Sequence, residues 1–314
     1  MIRVEGLTKH YGSVRAVDDV TFTVEPGVVT GFLGPNGAGK STTMRMIVGL
    51  DVPTSGSALI DGSPYASLDN PARRVGALLD AKSVHPNRSA RASLLWQAQA
   101  MGLPASRVDD VLEMVGLSEV ASKRSGGFSL GMGQRLGIAS AMLGDPEYLI
   151  LDEPVNGLDP AGIRWVRSLL RTLASEGRTV FVSSHLLAEM AQTADRLVVI
   201  GRGKLVADTT VHDFIKGNST ITTVARAASP EALAGLEGAL TGAGMGHTRG
   251  TDADGRPTLT IDGVSSDEVG ALAFSAGVQL AELTERRASL EDAYMHSTED
   301  HTQYRATHQG VNRA

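Results

Sequence analysis

The fold is decided by the stretch VVTGFLGPNGAGKSTT, residues 28–43. Residues 28–33 form an apolar run typical of a buried strand, and helical periodicity continues from the glycines to about Leu50. Between them, residues 34–41 match the pattern G-x-x-x-x-G-K-[ST], in the strand-to-helix context that this pattern requires. The stretch therefore predicts an α/β domain with a phosphate-binding loop between a strand and a helix.

Each residue type in this loop suits a triphosphate. Glycines let the backbone curl so that successive N–H groups point at phosphate, assisted by the positive end of the helix. We expect Lys40 to contact the β- and γ-phosphates and Ser41 to offer its hydroxyl to Mg²⁺, a cation that prefers oxygen ligands. The alternative, a structural Gly-rich turn, does not explain why the pattern lies between a strand and a helix.

A second chemical element is YLILDEP, residues 148–154, an apolar strand that ends in two carboxylates. We expect Asp152 to hold the Mg²⁺ shell and Glu153 to orient and deprotonate the attacking water. Taken alone, such a pair is more often a turn or a helix cap. Together with the phosphate loop, it favours catalysis.

Bulk composition restricts the remaining possibilities. A chain of 314 residues favours two domains, and a net charge of −6 gives no overall electrostatic signal for a nucleic-acid partner. The absence of cysteine excludes disulfides, zinc thiolate sites and cysteine nucleophiles. No leader-like or membrane-spanning apolar run is evident, so we expect any membrane role to depend on a partner.

The pattern along the chain indicates how the first domain, residues 1–215, is organised. Residues 2–25 predict an antiparallel flank, residues 86–143 a helical subdomain, and residues 197–208 a closing hairpin.

The pattern changes after the hairpin. Residues 216–297 alternate in an order that resembles a ferredoxin-like α+β unit, which predicts a small accessory domain. It shows no convergent polar cluster, so packing or dimer stabilisation is preferred there over ligand sensing. Residues 298–314 are polar and aperiodic and are predicted to be a disordered tail.

Two further motifs resemble those of ABC ATPases. FSLGMGQR, residues 128–135, is similar to that family's signature stretch, and NGLDP, residues 156–160, is similar to its D-loop. Their order and spacing resemble the family over residues 1–215. The resemblance implies a P-loop NTPase domain of the ABC ATPase type, with a mixed sheet core, an antiparallel β flank and a helical subdomain.

The resemblance also implies specific roles. Tyr11 would stack on adenine, Lys40, Glu153 and His185 would be catalytic, and Ser129 and Gly131 would reach the γ-phosphate held by an opposite subunit. The other residues expected to bind ATP are Gly34, Asn36, Gly37, Ala38, Gly39, Ser41 and Thr42. Asp159 would belong to the D-loop, and the two chains of a homodimer would meet head to tail.

The residues outside the phosphate loop also allow purely structural interpretations. Tyr11 alone is more often a half-buried strand aromatic, and His185 alone is more often a satisfied core or capping group. Ser129 and Gly131 also suit an N-cap and turn.

The sequence departs from the family pattern at two places. Asp80 stands where most members carry glutamine; it can accept a hydrogen bond from a Mg²⁺-bound water but cannot donate one. Leu130 replaces a signature glycine, and Met132 a glutamine. The acidic residue followed by SVHP, together with SLGM, resembles the ATPases of drug and antibiotic exporters of the daunorubicin type.

The resemblance therefore implies an ATP-hydrolysing subunit at the cytoplasmic face of the membrane, which powers export through a separate permease. A non-transport ABC protein with a regulatory, ribosomal or DNA-linked role is one alternative. A subunit that binds ATP but barely hydrolyses it is another, motivated by Asp80 and Leu130.

Overall fold

The computed structural model describes residues 1–80, 84–217, 221–252, 254–286, 290, 291, 293 and 294. The chain divides into two compact units between Val211 and His212. The sequence-based boundary near residue 215 falls within a helix that begins at Val211. The predicted tail, residues 298–314, lies outside the described residues.

The first unit contains two sheets. Its described strands are β1 (Ile2–Tyr11), β2 (Val14–Val24), β3 (Val29–Leu33), β4 (Ser55–Ile60), β5 (Val75–Leu78), β6 (Tyr148–Leu151), β7 (Thr179–Ser184), β8 (Arg196–Gly201) and β9 (Lys204–Thr210). An antiparallel sheet has the order β2-β1-β4, and a larger sheet has the order β5-β6-β7-β3-β8-β9. In the larger sheet β8 and β9 are antiparallel and the other pairs are parallel. The predicted mixed core and antiparallel flank are confirmed.

Helices connect these strands. Those described in residues 1–217 are α1 (Lys40–Ile47), α2 (Pro71–Arg74), α3 (Ala90–Ala100), α4 (Ser106–Met114), α5 (Leu130–Met142), α6 (Pro160–Ser175), α7 (Leu187–Thr193) and α8 (Val211–Gly217). Helix α1 ends before the predicted Leu50, because the backbone turns left-handed at Gly49, with φ of 69°. Helices α3, α4 and α5 lie in the region predicted to be helical.

Three phenylalanines join the two sheets beneath the phosphate loop. Phe22 of β2 lies 5.6 Å from both Phe32 of β3 and Phe181 of β7, measured between ring centroids. Phe32 and Phe181 are 5.0 Å apart, and both are fully buried. Tilted rings at such separations add to the stabilisation that burial alone provides. The cluster therefore fixes the strand from which the loop leaves.

The second unit is a sheet with helices packed on it. It begins within α8, and its further described elements are β10 (Thr222–Ala227), α9 (Pro230–Gly242), β11 (His247–Thr251), β12 (Pro257–Asp262), α10 (Ser266–Ser275) and β13 (Leu280–Arg286). This element order agrees with the sequence pattern, and the antiparallel sheet has the order β11-β12-β10-β13. The core forms where Leu236 of α9 packs with Leu259 and Ile261 of β12. Near the end of this unit, the described residues Leu290, Glu291, Ala293 and Tyr294 are helical.

The phenylalanine cluster leads to a stability prediction. Phe181→Ala removes a fully buried ring and leaves a cavity, so we expect the free energy of unfolding to fall by about 3–5 kcal/mol. Urea denaturation followed by circular dichroism measures this change. Val52→Ala is the control, because Val52 is 77% exposed; its effect should stay within about 0.5 kcal/mol. Equal effects of the two substitutions would contradict the assigned role of the cluster.

Candidate active site

Close backbone contacts shape the loop between β3 and α1. Gly39 has a φ of 106°, and a Cβ there would meet the Ala16 carbonyl oxygen of β2 at 2.5 Å. At Gly34 a Cβ would meet the Ile200 carbonyl oxygen of β8 at 2.4 Å. A side chain at either position would push the loop away from these strands. The motif glycines are therefore required by packing as well as by phosphate chemistry.

Lys40 is a buried cation at the start of α1. Its Nζ donates to the carbonyl oxygens of Gly34, at 2.6 Å, and Pro35, at 3.4 Å, and lies 4.0 Å from Glu153 Oε1. Burial lowers the pKa of Lys40, and the nearby carboxylates of Glu153 and Asp152 oppose this shift. The loop thus holds a positive charge beside the carboxylates that follow β6.

A cavity of about 210 Å³ opens beside the loop. It is lined by Ala16, Asn36, Gly37, Ala38, Gly39, Lys40, Ser41, Thr42, Asp152 and Glu153. The structure therefore brings the loop residues expected to hold phosphate together with both carboxylates. Gly34 is not part of this lining, but its carbonyl oxygen holds Lys40.

The carboxylates follow the four buried residues of β6. Asp152 accepts a hydrogen bond from Ser183 Oγ, and its own N–H donates to the Leu78 carbonyl oxygen at 2.7 Å. Glu153 Oε2 lies 2.7 Å from His185 Nδ1, while Oε1 is the atom near Lys40. The three residues predicted to be catalytic therefore converge on one place.

Sequence reasoning missed two side chains at this place. Ser183 of β7 accepts a hydrogen bond from the Glu153 N–H at 2.9 Å, and Gln134 Nε2 of α5 donates to the Glu153 carbonyl oxygen at 3.0 Å. Both residues are buried. A serine inside the apolar run TVFVSS was an available signal for Ser183. Nothing in the sequence pattern connected Gln134 with Glu153.

Tyr11, at the end of β1, is held by its hydroxyl group. This group donates to Asp51 Oδ2 at 2.9 Å, and Arg45 Nε binds the same oxygen at 2.7 Å. Burial and the neighbouring Asp51 raise the pKa of Tyr11. The side chain nevertheless remains 48% exposed, with Lys9 Nζ 5.1 Å from the ring centroid. Adenine stacking on this ring remains a prediction.

The signature and D-loop residues begin helices. Ser129 Oγ accepts from the Met132 N–H at 3.2 Å and caps α5, while Asp159 Oδ1 accepts from the Gly162 N–H at 2.8 Å and caps α6. A Cβ at Gly131 would meet the Gly157 carbonyl oxygen at 2.9 Å, so the two segments lie against each other. The capping interpretation of Ser129 is confirmed, and its contact across a dimer stays a prediction.

The expected Mg²⁺ ligands can be tested against this geometry. Ser41 and Asp152 line the same cavity and supply oxygen atoms, which suits Mg²⁺. The described residues contain no cluster of three or more His, Cys, Asp or Glu that could hold a metal. Mg²⁺ usually binds through one or two carboxylates and takes its other ligands from phosphates and waters. Asp80 is exposed and does not belong to the cavity lining, so its role remains a prediction.

Comparison with known proteins identifies the family. Residues 17–156 match the family model described as ABC transporter. Over 211 residues the chain is 46% identical to the bacitracin transport ATP-binding protein BcrA of Bacillus licheniformis. The aligned region covers 66% of this chain and 69% of that relative. The chain belongs to the ABC transporter ATP-binding family. It is an ATPase subunit, and its phosphate-loop cavity is the site where ATP chemistry is expected.

Other relatives of this ABC ATPase agree. The lantibiotic transport ATP-binding protein SrtF of Streptococcus pyogenes is 37% identical over 208 residues, covering 66% of this chain and 90% of the relative. The dimeric structure of MJ0796, a bacterial ABC transporter cassette, matches with a TM-score of 0.62 and 26% identity, covering 67% of this chain and 98% of that chain. The predicted ABC ATPase fold is confirmed.

Two further findings concern the rest of the ABC ATPase. Residues 223–291 match a domain of unknown function, DUF8746. Among the helices that the structure describes, none combines the length and apolar character needed to cross a bilayer.

Lys40→Ala tests the phosphate site. The substitution removes the ammonium group that would contact the triphosphate, so we expect affinity for a magnesium-bound, non-hydrolysable ATP analogue to fall about 10- to 100-fold. Isothermal titration calorimetry measures this affinity, and circular dichroism checks the fold. Lys204→Ala is the matched control, because the Lys204 side chain is 66% exposed. Unchanged binding in Lys40→Ala would exclude this loop as the nucleotide site.

Proposed function

We propose that two copies of this ABC ATPase close around two MgATP molecules and power export of an antibiotic or other hydrophobic compound through a separate membrane permease. The observation that carries the proposal is the convergence of Lys40, Glu153 and His185: Lys40 and Glu153 line the phosphate-loop cavity, and His185 Nδ1 contacts Glu153 Oε2. The permease would place the ATPase at the cytoplasmic face of the membrane.

The contacts of Glu153 support its assignment as the base that activates water. Its two oxygens point to different partners, with Oε1 toward the Lys40 ammonium and Oε2 toward the His185 ring. In this position the carboxylate can accept a proton from water while Lys40 and His185 stabilise charge on the γ-phosphate. Phosphoryl transfer depends chiefly on such positioning and charge stabilisation.

Mg²⁺ would be held by Ser41 and Asp152 in this proposal. When bound, the cation neutralises charge on the β- and γ-phosphate oxygens. Ser183 of β7 donates a hydrogen bond to Asp152 Oδ1 and so holds this oxygen toward β7. The second carboxylate oxygen is left for the cation.

The position of the signature residue Ser129 supports a head-to-tail homodimer. Ser129, at the N-terminus of α5, does not line the phosphate cavity of its own chain; it borders a different cavity, of about 500 Å³. A helix N-terminus with free N–H groups is suited to bind a phosphate. The phosphate that it meets would therefore belong to a nucleotide held by a second copy. The dimeric arrangement of the MJ0796 cassette supports this proposal.

The nature of the cargo is inferred from relatives. The names of two relatives refer to the transport of bacitracin and of a lantibiotic. We infer that the cargo of this ABC ATPase is an antibiotic or a compound of similar hydrophobic character. Cargo contacts would belong to the permease rather than to this chain.

Glu153→Gln tests the catalytic assignment. Glutamine keeps the size of the side chain but cannot take a proton, so we expect kcat to fall by about 10²- to 10⁴-fold while ATP still binds. Steady-state phosphate release measures turnover, and gel filtration with ATP should reveal a trapped dimer.

The matched control for Glu153→Gln is Glu147→Gln. Glu147 is an exposed glutamate beside the start of β6 that pairs with Arg74, and its replacement should leave kcat unchanged. Wild-type turnover in Glu153→Gln would remove Glu153 from its proposed role. Negligible turnover in the wild-type protein, with and without the permease, would instead favour a subunit that binds ATP without acting as a motor.

Affinity purification of the tagged, full-length protein from detergent-solubilised native cells tests the transport role. We expect a multispanning membrane protein to co-purify, and that complex should hydrolyse ATP. Deleting both genes should then sensitise the cells to the exported antibiotic. Recovery of ribosomes or DNA in place of a membrane protein would favour the non-transport alternative.

A further inference from the structure

The backbone of Glu153 adopts a conformation that its residue type disfavours. Its φ is 51°, in the left-handed region. Asn and Asp tolerate this region better than other non-glycine residues, whereas glutamate gains no such local compensation. Residues held in this way persist only where the surrounding structure imposes the conformation, and they cluster at functional sites. The groups that impose it here are visible in the structure.

Ser183 holds the N–H side of Glu153. The Ser183 side chain is fully buried in β7, and its Oγ accepts from the Glu153 N–H at 2.9 Å. The same hydroxyl donates to Asp152 Oδ1. Because an ionised carboxylate only accepts hydrogen bonds, the hydroxyl proton must point to Asp152, which leaves an oxygen lone pair for Glu153. One buried hydroxyl thus fixes two consecutive residues of the site.

Gln134 holds the carbonyl side of Glu153. It is 3% exposed, and its Nε2 donates to the Glu153 carbonyl oxygen at 3.0 Å. Gln134 lies in α5, the helix that Ser129 caps. The Asn156 N–H also donates to the Glu153 carbonyl oxygen, at 3.2 Å. Buried side chains from two different elements, β7 and α5, thus reach both backbone polar groups of Glu153.

We propose that Ser183 and Gln134 are positioning residues that hold Glu153 in its left-handed conformation and so aim its carboxylate at the attacking water. This inference rests on the proposed role of Glu153 as the base. Since the direction of the Cα–Cβ bond follows the backbone, loss of either tie lets the carboxylate move away from Lys40 and His185. Because Gln134 lies in α5, a shift of this helix would also shift Glu153 in the same chain.

Two substitutions test the proposal. Ser183→Ala removes the hydroxyl and Gln134→Met removes the donor at similar side-chain volume. A misplacement of about 1 Å can cost about 10²-fold in rate, so we expect kcat to fall about 10- to 100-fold in each variant. The Kd for ATP should stay unchanged in Gln134→Met, because the loop amides, Lys40 and Asp152 are untouched, whereas Ser183→Ala also removes the hydroxyl that donates to Asp152. Phosphate-release kinetics and calorimetry measure the two quantities.

A rescue variant and a control separate positioning from a general structural role. Ser183→Thr keeps the hydroxyl, and Ser183 already borders a small cavity, so kcat should return close to the wild-type value. Thr30→Val is the control, because Thr30 of β3 is fully buried and its Oγ1 has no hydrogen-bond partner among the described residues. It removes a buried hydroxyl from a neighbouring strand and should leave kcat unchanged.

A double-mutant cycle gives a readout that a structural defect would not reproduce. If Gln134 acts through Glu153, adding Gln134→Met to Glu153→Gln should cause no further loss of the residual rate. If Gln134 only supports the fold, the two losses should multiply, and the proposal fails. The melting temperatures of all variants are recorded alongside.

The outcomes distinguish this inference from the proposed function. Wild-type turnover in Glu153→Gln would defeat both. An inactive Glu153→Gln together with wild-type kcat in Ser183→Ala and Gln134→Met would defeat the positioning role alone. If Ser183→Ala does not fold, Gln134→Met and the double-mutant cycle decide the matter, with a wild-type kcat in Gln134→Met counting against the proposal.

Discussion

The site depends on a backbone constraint: the phosphate loop lies so close to its neighbouring strands that Gly34 and Gly39 leave no room for a Cβ atom. This contact fixes where α1 begins, and α1 begins with Lys40. A buried ammonium is costly unless it has partners, and loop carbonyls and the Glu153 carboxylate supply them. The position of the cation therefore follows from the packing of the loop, and the carboxylates that face it complete the site.

The groups assigned to chemistry also hold the fold together. Ser129 and Asp159 cap the helices that begin at the signature and D-loop segments. Gln134 and Ser183 satisfy the backbone of Glu153. Because a buried polar group left unpaired destabilises a protein, these side chains have structural reasons to be present apart from ATP. Folding and positioning are served by the same hydrogen bonds, which is why kinetic tests of this site need a stability measurement beside them.

Much of this architecture was predictable because its signals are local. The strand, loop and helix around residues 28–47 are consecutive in the chain, and strand β6 with its two carboxylates is likewise a single stretch. Glycine pattern, apolar runs and capping residues express local backbone geometry, so they can be read without knowing the fold. Helix α1 ends earlier than its periodicity predicts, because the backbone turns left-handed at Gly49. In the second unit the alternation of strands and helices is again a local signal.

The sequence by itself determined that a triphosphate loop and a pair of carboxylates are present, since each is a continuous motif whose residue types suit the chemistry. Only the tertiary structure decided how they meet. Ser183 and Gln134 are 30 and 19 residues from Glu153 along the chain, yet their side chains hold its backbone. Likewise, Asp51 holds the Tyr11 hydroxyl from 40 residues away. Periodicity and spacing describe neighbours in sequence, whereas these contacts arise when parallel strands and a distant helix pack side by side. That packing sets which polar groups share a buried hydrogen bond.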